Sequence, residues 1–583
     1  MPMIPIHTTR RSFLAGTAAG AALSVLAFQA RAQAAQEVPL ASYQPEYLSA
    51  AEYAFVMAAT ARLIPSDGDG PGALETRVAV FIDRQLAGDF ATAADLYMEG
   101  PFNPAADPNL GTQTPLTPAE IYREGIAAFD NWCLDTHGAD FADLDAATQD
   151  ASLTSLSDDE VPLDPTLREF WTLLLQNTKE GYFSDPQYGG NAGMEAWVYI
   201  GFPDARANFY EWVGRDVTYT NEYGMQLGPC NYCGFCERYG CINYSKSSPQ
   251  TCILDALRRM PNFSYKVNSE VLKIELAEDG KTATGVTYFD AAAQEEVFQP
   301  ADLVIVTAYA LHNVHLMLLS GIGEPWDPVQ QTGTTGKNYS YQMNGGTRMF
   351  FKDTAFNPFA ASGANGISID DYAISQIDFA REGFIGGSYI TAGESNGQPI
   401  RGISLPEGTP SWGAGWKQGI GDWYGHSMSI GSHGSNMAYR DCYLDLEPTY
   451  KDRHGRALLR MTFNWKPNDI KMTQFMRARI EPIAEAMQPD SWQSSYKSDG
   501  AQYDVRPCQT THNVGGAIMG EDPTTSALNR YLQVWGQHNV FVMGASAFPQ
   551  NIQNNPTGTV GALAYWAADA IRKDYLPNPR PLV

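Results

Sequence analysis

The sequence has little positive charge for its length. It contains 39 Lys and Arg residues against 65 Asp and Glu residues, a formal net charge of −26 over 583 residues. Proteins that bind nucleic acids need clustered cations to contact phosphates, so this balance argues against a nucleic-acid partner. It also argues against a basic protein that binds a membrane surface, and we expect membrane contact only through a partner protein.

Long hydrophobic runs and short repeats are also missing. After the N-terminus, no window reaches the ~20 uninterrupted apolar residues of a membrane-spanning helix. The aromatic content of 12% and the lack of a repeat exclude collagen, coiled coil and wholesale disorder. With 44% apolar residues, the chain can bury a large core in about three or four domains.

The first 34 residues are typical of an export signal. Two adjacent arginines, Arg10 and Arg11, precede a weakly apolar run from Ala15 to Ala30, and Ala32-Gln33-Ala34 forms a small-x-small cleavage site. The pattern resembles a twin-arginine (Tat) signal, and an ordinary Sec signal with a chance arginine pair is the alternative. We expect a mature protein that starts near Ala35 and works in the periplasm.

The sequence from about residue 36 to 215 is predicted to be helical. Ser49 to Glu52 and Thr117 to Glu120 are capping boxes that open apolar runs, and Gly138 follows the end of the second helix. Asp164-Pro165 is predicted to open a third helix. This half has no glycine-rich phosphate loop and no metal-ligand spacing, so its chemistry alone indicates an interaction module.

After Arg215 the composition shifts to strands and turns. Residues 251–345 are predicted to form part of a sheet, and residues 346–505 a second sheet with extended loops that forms a substrate domain. Ala301–Thr307 is predicted to be an apolar strand of a parallel sheet, buried on both faces. The other predicted elements are strands at Phe263–Val267, Val271–Leu276, Thr284–Phe289 and Val540–Met543, and helices at Ala310–Leu319 and Val560–Ile571.

Half of the 8 cysteines lie within twelve residues, in the loop at 219–250. Their C-x₂-C-x₂-C-x₄-C spacing lets successive thiolates turn toward one small centre, as iron–sulfur and zinc sites require. In an exported protein, disulfides are the alternative, although cysteines two residues apart make poor partners. We expect a metal or cluster, iron–sulfur ahead of zinc, at Cys230, Cys233, Cys236 and Cys241.

The C-terminal segment, residues 506–583, contains the candidate catalytic residues. Removing hydride from an alcohol requires a base for the hydroxyl proton, and His512 suits this at neutral pH. The amide of Asn555 can orient the hydroxyl without competing for the proton. Pro556-Thr557-Gly558, at a helix start, can point backbone N–H groups at a flavin. A single histidine beside glycines can instead be a purely structural residue.

Two segments resemble known families. Glu180 to Asn191, with Trp197 and the Ile200-Gly201-Phe202-Pro203 run, resembles the small (gamma) subunit of gluconate 2-dehydrogenase. That family typically carries the Tat signal and escorts a larger flavoprotein. The resemblance covers most of residues 1–215.

Residues from about Tyr219 to Val583 resemble the glucose–methanol–choline (GMC) oxidoreductases, specifically the flavoprotein subunits of membrane-associated gluconate, sorbitol, fructose and glucose dehydrogenases. The resemblance implies that His512 accepts the proton with Asn555 as its partner. It implies a 3Fe-4S centre at the cysteines and a multihaem cytochrome c subunit as electron acceptor. The substrate would be a small sugar, polyol or sugar acid. The FAD would be lined by Gly544, Ala545, Asn555 and Thr557, with Val271 at the adenine.

One hallmark of such a flavoprotein is absent from the sequence. No G-x-G-x-x-G follows a predicted strand and opens a helix, although this motif binds the cofactor pyrophosphate. We therefore expect weakened FAD affinity and an incomplete sheet. The predicted fold class is a small all-helical domain followed by an incomplete GMC-type α/β sheet with a substrate domain. A dehydrogenase, a non-catalytic escort or electron-transfer module and a cofactor-free fragment remain the functional alternatives.

Overall fold

The computed structural model describes residues 39–94, 96, 98, 100–202, 219–230, 236, 240–241, 243–356, 366–393, 399–506 and 511–582. The predicted export signal and Cys233 lie outside these residues. Among the residues described, no helix is both long and apolar enough to cross a lipid bilayer.

The described part of the N-terminal segment is helical, as the sequence predicts. Ser49 and Thr117 each accept a hydrogen bond from the third residue of the helix that follows, so both capping boxes are confirmed. Asp164 instead caps a 3-10 turn at Pro165–Leu167, because its carboxylate binds the Thr166 N–H and closes a tighter turn. The α-helices are α1 (Ala50–Leu63), α2 (Val78–Leu86), α3 (Pro118–His137), α4 (Ala146–Ser157), α5 (Phe170–Phe183) and α6 (Glu195–Ile200).

The rest of the described chain mixes strands and helices. The helices are α7 (Asp255–Leu257), α8 (Ala310–Leu319), α9 (Phe379–Glu382), α10 (Gly413–Trp423), α11 (Pro467–Ala486) and α12 (Thr557–Ala570). The strands are β1 (Tyr219–Thr220), β2 (Gln226–Leu227), β3 (Ser269–Leu276), β4 (Ala283–Asp290), β5 (Glu295–Pro300), β6 (Val304–Val306), β7 (Ser340–Tyr341), β8 (Met343–Phe350), β9 (Ile367–Ile369), β10 (Ser388–Gly393), β11 (Ser427–Gly434), β12 (Tyr443–Lys451), β13 (Ala457–Thr462), β14 (Ser491–Ser495), β15 (Asn513–Val514) and β16 (Val540–Val542).

Helix α10 joins the second segment to the helical one. Its residues Trp416 and Ile420 belong to the same hydrophobic core as the helices of the N-terminal segment. Lys417, between them, is fully buried, and its ammonium donates to the carbonyl of Pro65 at 2.6 Å and to the Asp67 carboxylate. A buried ammonium must be paired to be tolerated, so this contact fixes α10 against the loop after α1.

The largest sheet in the described chain has five antiparallel strands in the order β14-β8-β11-β10-β9. Helix α11 covers one face, where Met476 and Ile480 pack against Met349 of β8 and Ile430 of β11. Since side chains alternate along a strand, the neighbouring residues of β8 and β11 point to the opposite face. That opposite face contains the candidate site.

A second core surrounds the parallel pair of β6 and β16. The predicted strand at Ala301–Thr307 is shorter, and the prediction that both of its faces are buried is wrong. Val304 and Val306 are buried, whereas Ile305 is 45% exposed. Side chains alternate between the two faces of a strand, so the exposure of Ile305 shows that the face opposite Val304 and Val306 is not fully covered by the described residues. Helix α8 follows β6 at the predicted residues, and α12 begins three residues before the predicted start.

The three-stranded sheet β3-β4-β5 contains the predicted strands Val271–Leu276 and Thr284–Phe289, and the turn between them includes Gly280, which has a φ of +65°. The predicted strand at Phe263–Val267 is wrong, because this stretch has no strand assignment. Its side chains at Tyr265 and Val267 are 52% and 65% exposed. Exposed apolar residues without a packing surface gain too little from burial to form a strand.

Candidate active site

Hydrogen bonds hold His512 at its backbone and at its ring. The backbone carbonyl of His512 accepts a hydrogen bond from the side-chain amide of Asn551 at 2.7 Å. On the ring, Nδ1 lies 2.5 Å from Oε1 of Gln342, a residue that is fully buried. Strand β15 starts at the next residue and pairs Asn513 with Tyr341, so the backbones on both sides of this contact are fixed. Burial lowers the pKa of His512 below its ordinary value, which favours the neutral form of the ring.

The orientation of the Gln342 amide decides which ring nitrogen of His512 holds the proton. The amide nitrogen of Gln342 donates to the carbonyl of Gln553 at 3.1 Å, and a carbonyl can only accept. Oε1 of Gln342 must therefore point at His512 and accept from Nδ1–H. In the neutral ring this leaves the lone pair on Nε2. Nε2 is thus the nitrogen that can take up a proton.

Asn555 is connected to His512 through a short chain of side chains. Oδ1 of Asn555 accepts a hydrogen bond from the hydroxyl of Tyr389 at 3.2 Å. Tyr389 stacks on His433, with ring centroids 5.3 Å apart. Nδ1 of His433 lies 3.3 Å from the same Gln342 oxygen that accepts from His512. The structure therefore places the two residues predicted from the sequence at opposite ends of one network.

The residues in the middle of this network escaped the sequence analysis. Gln342 is 170 residues from His512 along the chain, and His433 is 91 residues from Gln342. No local motif surrounds them. The only available signal was the alternation of small and polar residues in β11, which predicts a strand with one open face but not a partner for His512.

A buried polar frame supports the network from behind. Asn436 accepts a hydrogen bond from the backbone N–H of Tyr341 at 3.1 Å and donates to Asp469 at 2.8 Å. Both side chains are 1% exposed. Burial raises the pKa of Asp469 to about 6, although hydrogen bonds from Asn468 and the backbone of Met437 act in the opposite direction. Because Tyr341 precedes Gln342, this frame fixes the backbone on which the Gln342 side chain stands.

The predicted flavin-lining residues lie at the carboxyl ends of the parallel strands and at the start of α12. Gly544 follows β16 with a φ of +119°, a conformation that favours glycine, and Ala545 starts the 3-10 turn behind it. Asn313 of α8 donates to the carbonyl of Met543 and accepts from the N–H of Ala308, so it ties the ends of both strands together. Ligands of open α/β sheets bind at this edge.

Thr557 is the first residue of α12, and the N-cap residue, Pro556, provides no side-chain cap. The first N–H groups of α12 are therefore available to an acceptor from outside the helix. Val271 lies elsewhere, on β3 of the three-stranded sheet, paired with Tyr288 and 42% exposed. Its predicted contact with an adenine stays a prediction.

Three of the four clustered cysteines are described. Their loop is pinned by two hydrogen bonds, from Ser245 Oγ to the Pro229 carbonyl at 2.6 Å and from the Lys246 ammonium to the Cys236 carbonyl at 2.7 Å. Among the described residues, no three His, Cys, Asp or Glu side chains are grouped as a metal site requires. Because Cys233 lies outside the described residues, the cluster at Cys230, Cys233, Cys236 and Cys241 stays a prediction.

The backbone around Cys241 stabilises a thiolate. Burial by itself raises the pKa of this thiol, but N–H groups of Lys246, Ser245 and Asn243 donate to the sulfur and lower the pKa below its ordinary value. The thiolate is the form that binds metal ions.

The described chain combines a helical segment with an α/β segment that has a histidine at a sheet edge, and comparisons with known proteins match both segments. Residues 50–203 match the family described as Gluconate 2-dehydrogenase subunit 3. Residues 217–343 and residues 438–564 each match a family described as GMC oxidoreductase. The first segment is therefore similar to the gluconate 2-dehydrogenase subunit 3 family, and the second is similar to the GMC oxidoreductases.

Two curated relatives are similar to the second segment. The chain is 51% identical over 366 residues to the gluconate 2-dehydrogenase flavoprotein of Pantoea cypripedii, covering 63% of this chain and 59% of that protein. It is 26% identical over 304 residues to 2-methyl-1,2-propanediol dehydrogenase of Mycolicibacterium austroafricanum, covering 51% and 52%. The chain thus spans little more than half the length of these relatives. A solved structure of pyridoxine 4-oxidase from Mesorbium loti aligns with a TM-score of 0.38 at 16% identity, over 56% of this chain and 62% of that chain.

Similarity to the GMC oxidoreductases implies FAD, and the residues present fit one end of this cofactor. Gly544 leaves the end of β16 open: a Cβ built there would meet, within 4 Å, only the Asn313 amide among the described residues. A Cβ at Gly558 or Gly561 in α12 would meet nothing described within 4 Å. Open glycines, uncapped N–H donors and His512 suit the isoalloxazine ring. The pyrophosphate end is different, because the sequence contains no G-x-G-x-x-G after a strand.

Proposed function

We propose that this chain is a dehydrogenase of CH–OH groups in a sugar, a polyol or a sugar acid, with His512 as the base. The observation that carries the proposal is the tautomer of His512. Gln342 accepts from Nδ1–H, so the basic lone pair of the neutral ring is on Nε2. The lowered pKa of His512 favours this neutral form of the ring. When bound, FAD would supply the acceptor for the hydride that leaves the carbinol carbon.

The other network residues position the alcohol and the base. The Asn555 side chain, with Oδ1 engaged by Tyr389, has its amide N–H groups left to donate to the substrate oxygen. Its amide has no pKa near neutrality and therefore does not compete with His512 for the proton. Stacking against His433 restricts the Tyr389 ring, and the shared Gln342 oxygen restricts His433. General-base catalysis of this kind contributes about 10²–10⁴-fold to a rate.

Electron transfer beyond FAD is part of the same proposal. The spacing of the four cysteines in the sequence and the lowered pKa of Cys241 support a 3Fe-4S cluster at Cys230, Cys233, Cys236 and Cys241. A multihaem cytochrome c would take the electrons on, and Tat export would place the protein in the periplasm beside the cytoplasmic membrane. If the cluster is present, chelation removes iron and bleaches a broad visible absorbance. Chelation that leaves the spectrum unchanged contradicts the cluster.

A second candidate is a non-catalytic escort or electron-transfer module. It is favoured by the missing G-x-G-x-x-G motif, because the pyrophosphate of FAD would then lack its usual backbone donors. The visible spectrum of the purified chain distinguishes the two. A dehydrogenase shows flavin bands that bleach anaerobically on adding gluconate or sorbitol, whereas a module shows cluster absorbance without flavin. A spectrum with no flavin bands, even after incubation with FAD, contradicts the proposed dehydrogenase.

A further inference from the structure

The face of the five-stranded sheet opposite α11 continues well beyond the catalytic network. His433 of β11 lies directly across from Asn344 of β8 and from Tyr389 of β10. Four residues further along the same strands, Ser429 pairs with Arg348, and Arg348 pairs with Gln493 of β14. Because the pairing has no bulge here, these residues project from the same face as His433. The two groups are separated by about 14 Å of strand.

A cavity of about 510 Å³ opens at the far end of this face. That volume lies within the range of small-molecule binding sites, about 300–1,000 Å³. The catalytic network does not use it. The residues that line it include Gly346, Arg348, Glu407, Ser429, Gln493 and Ser495.

The surface between the cavity and His433 is open. It is formed by Gly346 and Gly431, which pair across β8 and β11. A Cβ on Gly431 would meet within 4 Å only the carbonyl of Gly345 and the hydroxyl of Thr391, among the described residues. A Cβ on Gly346 would meet, as its three nearest atoms, only backbone atoms of the neighbouring strand. An elongated ligand can therefore lie across the glycines with one end at His433.

The cavity contains the functional groups that bind hydroxyls. Arg348 donates only and Glu407 accepts only, while Gln493 and the serines do both. Among the described lining residues, one positive charge (Arg348) is balanced by one negative charge (Glu407), so the lining favours a neutral polyhydroxylated group over an anion. Building on the proposed function, we infer that this cavity is a subsite for a second sugar unit. The chain then acts on a glycosylated polyol or sugar acid, oxidised at one end while the glycosyl unit occupies the cavity.

The helical segment supports the wall of this subsite. Glu407 belongs to a loop whose residues Ile403, Leu405 and Trp412 pack against the core of the helical segment. The Gln493 amide donates to the Leu405 carbonyl at 3.4 Å, which connects the loop to β14. The helical segment thus holds one side of the cavity in place.

Isothermal calorimetry on the full chain with two matched pairs, sorbitol with maltitol and gluconate with maltobionate, tests this inference. Each second member is the first with an added glucosyl unit. We expect the glucosylated member to bind at least tenfold more tightly. Gln493→Ala, which removes a hydrogen-bonding side chain, and Ser429→Phe, which fills the cavity, should each abolish most of that gain. Ser491→Ala, on the same strand and face but outside the cavity lining, should keep it.

Each outcome bears on the inference. Equal binding of both members of each pair to the wild-type chain overturns it. A gain that survives both Gln493→Ala and Ser429→Phe also overturns it, because the glucosyl unit then binds elsewhere. Turnover is a separate readout: if none of the four compounds reduces a dye, the proposed function fails, while the binding contrast still decides whether the subsite exists.

Discussion

Asp469 makes the stability of the protein fall as the pH rises. Its carboxyl is 1% exposed behind the catalytic network, and burial raises its pKa from 3.8 to about 6. The folded protein therefore holds this proton more tightly than the unfolded chain does. The stabilisation is complete below pH 3.8 and is lost as the pH rises to about 6. The change in pKa corresponds to about 3 kcal/mol in the free energy of unfolding.

The assay is urea unfolding of the wild type and of Asp469→Asn between pH 4 and pH 7. The variant cannot titrate at this position, and its altered hydrogen bonds to Asn436 and Asn468 cost the same at every pH. The stability of the variant relative to the wild type should therefore improve by about 2–3 kcal/mol over this range. Comparison with the wild type cancels the carboxylates whose pKa is lowered, such as Glu270, which stabilise with rising pH. A difference that does not change with pH refutes the reasoning.

Two further predictions concern the contact between the segments and the flavin site. Lys417→Met removes the ammonium that pairs with Asp67. Because the Asp67 side chain is 32% exposed, we expect the free energy of unfolding to fall by about 2–3 kcal/mol, measured as a urea transition at lower concentration. An unchanged urea transition contradicts this prediction. Gly544→Ala forces a side chain onto a backbone φ of +119°, so we expect it to lower the amount of flavin bound per chain. The control is Gly536→Ala, where φ is ordinary and no described atom lies within 4 Å of the added Cβ, and it should bind as much flavin as the wild type. Equal flavin content in the two variants contradicts this prediction.

Local features of the sequence predicted local features of the fold. The capping boxes at Ser49 and Thr117 each use residues three apart, so the sequence contains all of the interacting groups. Helix α8 occupies the predicted residues Ala310–Leu319, and the chain leaves the helix at Gly321, which has a positive φ. The strand at Ala301–Thr307 was predicted too long and too buried, because burial depends on which layers cover a strand. Val304 and Val306 are buried and Ile305 between them is exposed, so only one face of this strand is covered by the described residues.

The candidate site was predicted in part. His512 and Asn555 were named from their motifs, and the structure connects them through side chains that the motifs do not contain. Gln342 determines the tautomer of His512, yet it is 170 residues away, and its role follows from a fold that pairs β15 with β7. Asp469 and Asn436 could not be found either, because burial and not residue type makes them important.

The central claim is that Nε2 of His512 takes the proton from the substrate hydroxyl. The most direct test is the rate of sugar-driven dye reduction by His512→Ala and by His137→Ala, compared at equal bound flavin. His137 is an exposed histidine at the end of α3 and serves as the control. The account predicts a loss of about 10²–10⁴-fold for His512→Ala and no change for His137→Ala. Turnover by His512→Ala at the wild-type rate would contradict the claim.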